Sequence, residues 1–255
     1  MNLAYNLYNE QSTNSNLRTT ASGTKIYALK PRTNNPKPNQ PKYTNQIKRT
    51  AVQPLVGADI QRAKDYLLAR PERYANCAIN LRDYTLFCFN INIGLRCGDL
   101  LHLKIGDIVK DGKIVDSIRF QEQKSKKTRD LFFNEQLKEI LLRYINSMPD
   151  QQSDWFLFHA LWPHKKPYKP MTIRNLNYVM KDIEKGLNLD IPLGTHSLRK
   201  TFARAIFDRE SAKGNMMAIE VLKDLLGHSS TAITRHYIGL NREMVRDIFT
   251  DGDMI

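Results

Sequence analysis

The feature that most restricts the fold of this chain is an abrupt change in composition near residue 50. Residues 1–50 are rich in Asn, Thr, Ser, Lys and Pro, with four closely spaced prolines from Pro31 to Pro41 and few large aliphatic side chains. Such a segment cannot bury enough apolar surface to offset the entropy lost on ordering. We therefore predict that residues 1–53 are a mostly disordered arm, in which helical spacing suggests one short helix at residues 3–8.

Beyond residue 53 the apolar residues follow the periods of helices and short strands. Asp111-Gly112 is a hairpin turn signal, and Ile114, Ile118 and Phe120 alternate onto one face, which predicts a small antiparallel sheet. The other patterns are helical, so we predict one domain, mainly α with a small antiparallel β-sheet (α+β), over residues 54–250, then a tail at 251–255. The predicted helices are 58–70, 73–92, 134–148, 172–187, 196–209, 216–226, 231–239 and 241–249.

The charge of the chain indicates a polyanionic partner. Its 39 Lys and Arg outnumber 26 Asp and Glu, which gives a net charge of +13, and residues 1–50 hold eight basic residues against the single acid Glu10. Lys and Arg that neutralise phosphates release counterions, and this supplies most non-specific affinity for nucleic acid. We predict that the arm adds salt-sensitive affinity, although charge alone does not separate DNA from RNA or an anionic membrane surface.

Several classes of protein are excluded by the same sequence. No apolar run approaches the roughly 18 residues of a membrane helix, and the first residues lack the pattern of a signal peptide. These features predict a cytoplasmic protein with no membrane partner. The three cysteines, Cys77, Cys88 and Cys97, are odd in number and lack the spacing of metal ligands, so we expect buried free thiols rather than disulfides or a zinc site.

Two polar clusters lie in the first half of the domain. In GLRCGDLLHL, Arg96 follows a buried run at the expected start of a helix, and Asp99 is three residues on, close enough to orient the guanidinium. The second cluster, KSKKTR at residues 124–129, occupies a predicted hairpin turn. Taken singly, the first fits a helix-capping ion pair and the second a solvated turn, so neither specifies a function by itself.

Two further clusters lie near the C-terminus. In GTHSLRKTF, His196 and Arg199 are three residues apart and share one helix face, so that both can reach one phosphate. In LGHSS, Gly227 is a helix stop signal before His228, and Tyr237 follows after eight further residues. A core histidine and a packing tyrosine are the ordinary interpretations of each alone. Together the four clusters contain what metal-free phosphoryl transfer to a tyrosine requires.

In this order and spacing the clusters resemble the tyrosine recombinases, the phage integrase family. The family pattern is GLR-x-x-E, a hairpin lysine, H-x-L-R-x-T-F, and LGH followed by a tyrosine, and the resemblance covers residues 54–250. It implies the tyrosine recombinase catalytic-domain fold and no metal or other cofactor. It also implies six catalytic residues: the phosphate-clamping Arg96 and Arg199, the paired His196 and His228, the hairpin Lys124, and the nucleophile Tyr237.

The resemblance leaves some positions less sharply defined. Lys126 and Lys127 are alternatives to Lys124, because the run offers three lysines. Asp99 stands where the family usually has glutamate, in a supporting role. Further DNA contacts are expected from Lys126, Lys127, Arg129 and Lys200.

The function that the resemblance implies is site-specific recombination or integration of a mobile element's DNA. A 3′-phosphotyrosyl intermediate would preserve the energy of the phosphodiester for rejoining. The implied partners are double-stranded DNA at the cytoplasmic nucleoid and copies of the same chain, assembled as a synaptic tetramer through the C-terminal helix. The alternative is a catalytically silent DNA-binding accessory factor of the same fold, and a topoisomerase-like activity uses similar chemistry.

One departure concerns domain organisation. Full-length members of the family carry a helical core-binding domain ahead of the catalytic domain. Residues 1–53 are too short and too polar to form such a domain. We therefore expect a catalytic domain preceded by a basic arm.

Overall fold

The computed structural model describes residues 17–19, 25–27, 51–70, 79–148, 150–160, 169–240 and 249–250. The chain divides into two units, residues 1–48 and 49–255. In the first unit, strand β1 (Leu17–Thr19) pairs antiparallel with β2 (Lys25–Tyr27). These strands were not predicted from the sequence. The helix predicted at residues 3–8 lies outside the described residues, and the disorder predicted for the arm stays a prediction.

The second unit is mainly helical with short antiparallel strands, which confirms the predicted fold class. The predicted helix starting at residue 73 is described only from Ile79, and residues 241–248 of the predicted C-terminal helix are outside the described part. No helix in the described ranges has the length and apolar character to cross a bilayer. The elements are α1 (Ala58–Ala69), α2 (Ile79–Ile93), α3 (Cys97–Leu101), α4 (Ile105–Ile108), β3 (Val109–Lys110), β4 (Lys113–Ile114), β5 (Ser117–Gln121), β6 (Thr128–Phe132), α5 (Glu135–Asn146), α6 (Ile173–Gly186), α7 (Ser197–Ala212), α8 (Ala218–Leu226) and α9 (Thr231–Ile238).

The strands of this unit form two antiparallel pairs. Asp111 and Gly112, with φ of 49° and 73°, turn β3 into β4, as the sequence predicted. β5 pairs with β6, and Ile118 and Phe120 lie on its more buried side. The sequence suggested one face shared from Ile114 to Phe120, whereas β3–β4 and β5–β6 are separate pairs.

Local capping fixes where several helices begin and end. The side chains of Asn134, Thr172 and Ser230 accept hydrogen bonds from backbone N–H groups in the first turns of α5, α6 and α9. Gly227 and Gly239 adopt left-handed backbone conformations at the ends of α8 and α9. These caps explain why the predicted boundaries of α5, α6, α8 and α9 agree closely with the observed ones.

The apolar side chains of the second unit form two separate clusters. The larger cluster surrounds α2, which is buried on most of its faces, and includes Leu198 of α7. The smaller contains Phe202 of α7 with Leu222 and Leu226 of α8 and Ile238 of α9. Helix α7 therefore belongs to both clusters and connects them.

A network of paired charges joins α1, α2 and α6. Asp83 accepts hydrogen bonds from both Arg70 and Arg82, and Arg70 also reaches Asp182 at 2.8 Å. The third nitrogen of the Arg82 guanidinium, Nη1, donates to the backbone carbonyl of His159 at 3.2 Å. Because buried charges are tolerated only when paired, this network fixes the position of α2 against its neighbours.

Acid should destabilise this domain because His159 is buried in its neutral form. Burial, reinforced by the charge of Arg82, lowers the pKa of His159 from 6.5 to about 4. In the unfolded chain His159 binds a proton near the ordinary pKa of 6.5. Its contribution to stability is therefore fully present above pH 6.5 and is lost as the pH falls towards the folded-state pKa of about 4. We expect the free energy of unfolding in urea to drop by roughly 2 kcal/mol between about pH 7 and about pH 4.5. A His159→Gln variant should lose less over this range, and an equal loss would contradict the assignment.

Candidate active site

Direct contacts join the four polar clusters found in the sequence. Arg199 contacts Gly94 of the first cluster and Leu226 of the fourth, and Arg96 contacts Glu122 beside the lysine-rich turn. The structure therefore brings together side chains that are separated by more than 100 positions in the chain. They meet where α7 begins and where α2 and α8 end.

Arg199 is the most deeply buried cation of this site, with 3% of the residue exposed. Its Nη1 donates to the carbonyl of Gly94 at 2.5 Å and its Nη2 to that of Leu226 at 2.8 Å. Both carbonyls lie at helix C-termini, where the helix dipole favours positive charge. Burial lowers the pKa of Arg199, but a guanidinium stays protonated in proteins. A fixed cation therefore lies at the centre of the site.

Gly94 can lie against the ring of Phe202 only because it has no side chain. Its φ is +68°, and a β-carbon built there would lie 2.2 Å from the ring of Phe202. The glycine of the GLR motif and the phenylalanine of the H-x-L-R-x-T-F motif thus pack directly on each other.

Arg129 binds carbonyls at the same two helix ends as Arg199. Its Nη1 donates to the carbonyl of Leu225 at 3.0 Å and its Nη2 to that of Ile93 at 3.4 Å. Burial, followed by the charge of Arg199, lowers its pKa to about 10. The sequence suggested a DNA contact for Arg129, which stays a prediction. In the structure its guanidinium binds the protein and connects β6 to α2 and α8.

The acidic partner of Arg96 was not identified from the sequence. Arg96 donates to the carboxylate of Glu122, which follows β5, and not to Asp99 as its spacing suggested. Asp99 is 3% exposed and accepts a hydrogen bond from the backbone N–H of Gln123 at 2.9 Å. Asp99 thus holds Gln123, and the preceding residue, Glu122, holds Arg96, so that both carboxylates fix the base of the lysine-rich turn. An isolated acid before a run of lysines, in QEQKSKK, was the available signal for Glu122.

The lysine-rich turn extends from the end of β5 to the start of β6. Lys124, Lys126 and Lys127 are all exposed, and Lys126 has a left-handed backbone with φ of 57°. The side chain of Lys127 passes close to Gly227, because its Cδ is 4.0 Å from a β-carbon built on that glycine. All three lysines therefore stay candidates for the hairpin lysine.

The two histidines lie near Arg199, one directly before α7 and the other directly after the end of α8. His196 is the exposed residue before α7, and His228 follows the left-handed Gly227, with its Nδ1 3.1 Å from Oγ1 of Thr234. Burial and the charge of Arg199 lower the pKa of both imidazoles. Each is therefore mainly neutral at pH 7 and able to accept a proton.

Tyr237 is held by α9 between an imidazole and a cation. Its ring meets that of His228 at a centroid distance of 5.1 Å and an angle of 75°, and Nζ of Lys200 lies 5.2 Å from its centre. Lys200, predicted to contact DNA, is thus beside the tyrosine. The hydroxyl is buried near Arg199 but makes no hydrogen bond of normal geometry within the described residues. Burial, only partly offset by Arg199, raises the pKa of Tyr237 to about 12.

Two cysteines of the described residues, Cys88 and Cys97, are buried free thiols. Cys97 donates to the carbonyl of Thr195 at 2.9 Å, next to His196, and Cys88 is also a buried free thiol, as predicted. Burial raises the pKa of both, which keeps them as unreactive thiols. Cys77 lies outside the described residues.

The arrangement has the parts of a phosphate site with an attached nucleophile. Two arginines supply rigid donor forks, two neutral imidazoles can exchange protons, and a buried phenol packs against one of them, His228. Because Arg96 is 27% exposed, an anionic group can approach it from solvent. Chemically, the site suits attack by a tyrosine on a bound phosphodiester.

Comparison with known sequences relates the chain to a protein family. The pattern of the phage integrase family matches residues 65–244. The probable integrase/recombinase YoeC of Bacillus subtilis (strain 168) is 32% identical over 196 residues, which cover 76% of this chain and 93% of YoeC. The tyrosine recombinase XerC of Leptospira interrogans is 24% identical over 173 residues, which cover 66% of this chain and 50% of XerC.

A solved structure gives the same result for the fold. The XerH site-specific recombinase bound to difH substrate matches with a TM-score of 0.54 and 16% identity, over 86% of this chain and 55% of the XerH chain. The chain therefore spans about half the length of XerC and XerH, but nearly all of YoeC. The fold is that of a tyrosine recombinase catalytic domain, and the chain belongs to the phage integrase family, the tyrosine recombinases.

Proposed function

We propose that this chain is a site-specific DNA recombinase that cleaves and rejoins strands through a 3′-phosphotyrosyl intermediate. The observation that carries the proposal is the position of Tyr237, whose buried hydroxyl lies near the guanidinium of Arg199 and whose ring lies against His228. Family membership supports it. The XerH recombinase, which shares the fold and was solved bound to its difH substrate, supports it as well.

The two arginines bind and neutralise the scissile phosphate in this mechanism. Arg199 gives two of its five N–H donors to Gly94 and Leu226, which leaves three for the non-bridging oxygens. Arg96 approaches the same phosphate from the solvent side. As the pentacoordinate transition state forms, the added negative charge meets donors that are already in place.

Proton transfers accompany the exchange of bonds. The oxygen of Tyr237 attacks phosphorus while the bond from phosphorus to the 5′ oxygen breaks. The phenol needs a base, because its pKa of about 12 keeps it protonated at neutral pH. His196, whose lowered pKa leaves it neutral, accepts that proton, and Lys124 protonates the departing 5′ oxygen. Rejoining reverses each transfer with the 5′ hydroxyl of another strand.

A nicked suicide substrate tests this proposal. A nick beside the scissile phosphate releases the cleaved fragment, so the covalent intermediate accumulates instead of being resealed. We expect a protein–DNA adduct that survives SDS, with the phosphodiester mapped to Tyr237 by mass spectrometry. DNA binding without any adduct would instead support the silent accessory factor, and relaxation of supercoiled DNA without strand exchange would support a topoisomerase-like activity.

The chain is also proposed to assemble on double-stranded DNA as a tetramer, in the cytoplasm at the nucleoid. Exposed apolar side chains provide a docking surface, since the N-cap Met217 and the α8 residues Val221 and Leu225 are spaced one turn apart and are 58%, 41% and 40% exposed. The C-terminal segment supplies the matching group, because Phe249 is 81% exposed and residues 241–249 have a helical apolar pattern. We propose that this segment of one copy packs on α8 of the next.

Removal of residues 241–255 should abolish the higher assembly while leaving binding of single copies to DNA intact. The apolar pairing contributes nothing to phosphate contacts, so affinity for a half-site should stay within about twofold. Light scattering coupled to size exclusion, with DNA carrying two binding sites, measures the stoichiometry. An unchanged stoichiometry for the truncated chain would exclude this docking mode.

A further inference from the structure

Glu122 is a buried carboxylate surrounded by groups of the proposed active site. The residue is 4% exposed, and its carboxylate accepts hydrogen bonds from Arg96 and from Oγ of Ser125. Nε of Arg129 lies 4.0 Å from its other oxygen. A buried carboxylate requires such partners, because the cost of removing it from water is several kcal/mol.

The charge balance of the site depends on this carboxylate. Burial alone would raise the pKa of Glu122, but the hydrogen bonds from Ser125 and Arg96 and the charges of Arg96 and Arg129 hold it below its ordinary value. Glu122 is therefore ionised at neutral pH. It lies between two arginines, and its charge opposes the lowering of the Arg129 pKa that burial and then the charge of Arg199 cause.

The contact with Arg96 leaves that residue free to act on DNA. Glu122 engages Nη1 of Arg96, and the side chain of Arg96 is still 27% exposed. A free arginine side chain carries about 2 kcal/mol of rotamer entropy, which is lost when it is fixed in one orientation. Holding the guanidinium before DNA arrives removes part of that cost from the reaction.

The same residue closes the turn that carries the lysines. The backbone N–H of Glu122 donates to the carbonyl of Lys127 at 2.9 Å, and its carbonyl accepts from the N–H of Lys126 at 3.0 Å. One residue thus links the clamp arginine to the lysine-rich turn through both its side chain and its backbone. Asp99 supports the next residue, Gln123, and does not contact Arg96 through a hydrogen bond among the described residues.

We propose that Glu122 is a positioning residue of strand cleavage, which holds Arg96 in the orientation in which it receives the scissile phosphate. This inference rests on the proposed function. Glu122 itself does not touch DNA, since its carboxylate is buried and negatively charged. Its effect is exerted through the guanidinium of Arg96.

A Glu122→Gln variant tests the inference by two independent measurements. We expect the single-turnover rate of adduct formation on a nicked substrate to fall by about 30-fold, because Arg96 is no longer held in place. We expect the order parameter of the Arg96 side-chain Nε, from ¹⁵N relaxation in DNA-free protein, to fall while that of Arg199 is unchanged. DNA affinity, measured in a Tyr237→Phe background, should stay within about threefold, because many other phosphate contacts persist.

Matched variants separate this role from a general structural one. Glu139→Gln makes the same chemical change at an exposed position of α5 and should leave both measurements unaltered. Glu122→Asp keeps the charge and should recover part of the rate. An undiminished rate in Glu122→Gln, or a slow rate with Arg96 still rigid, would overturn the inference. Absence of adduct from the unmodified protein would instead count against the proposed function.

Discussion

Replacement of Tyr237 by Phe should abolish covalent adduct formation completely, because no other group can take over the nucleophilic oxygen. The substitution removes the hydroxyl alone and keeps the ring that contacts His228 and Lys200. Since that hydroxyl is buried without a normal hydrogen bond among the described residues, its loss leaves no partner unsatisfied. Folding stability should therefore be unchanged or slightly higher, and DNA affinity should change by less than about twofold.

The measurement combines the suicide-substrate assay with thermal denaturation and a DNA-binding titration. Tyr178→Phe is the matched control, because Tyr178 is an exposed tyrosine of α6 whose hydroxyl accepts a hydrogen bond from Arg174. This control should form adduct at the normal rate. Residual adduct in the Tyr237→Phe variant would show that a different residue is the nucleophile.

Replacement of Arg199 by Lys should reduce the rate of adduct formation by at least about 100-fold, although the positive charge is kept. A single ammonium cannot bind the carbonyls of Gly94 and Leu226 and still present a planar fork to the phosphate. Loss of one preorganised donor in a transition state costs about 3 kcal/mol, which corresponds to this factor. A carbonyl left without its donor should also lower the free energy of unfolding by roughly 2 kcal/mol.

Arg209→Lys provides the control for this second substitution. Arg209 lies on the same helix, α7, but its side chain is 61% exposed. The control should keep the normal rate and stability. Single-turnover kinetics at saturating DNA measure the chemical step. A urea titration measures the free energy of unfolding and shows whether the Arg199→Lys variant is folded. A near-normal rate would mean that Arg199 only supports the structure.

Local patterns in the sequence were sufficient to predict most helices of the domain and the four polar clusters. Asn134 and Ser230 are strong capping residues, and Gly227 is a strong stop signal, so these boundaries were predicted correctly. The motifs around Arg96 and Arg199 were recognisable because their spacing along the chain is characteristic.

Contacts between distant segments could not be predicted in this way. The pairing of Arg96 with Glu122 depends on how the residues after β5 meet the start of α3, and no local rule relates residues 26 positions apart. Spacing suggested Asp99 instead, which is nearer in sequence but binds the backbone of Gln123. Arg129 was similarly interpreted as a surface residue, because its burial depends on two helix ends that are remote in the chain.

The smaller apolar cluster has a consequence for how heat would inactivate the protein. The helix that carries Tyr237 packs through Ile238 on Leu222, Leu226 and the ring of Phe202, and not on the larger cluster around α2. A segment with few buried contacts opens at a lower free energy than the whole domain. Catalysis would then fail at a lower temperature than the one that melts the bulk of the helices, so that activity and circular dichroism would report two different midpoints for one chain.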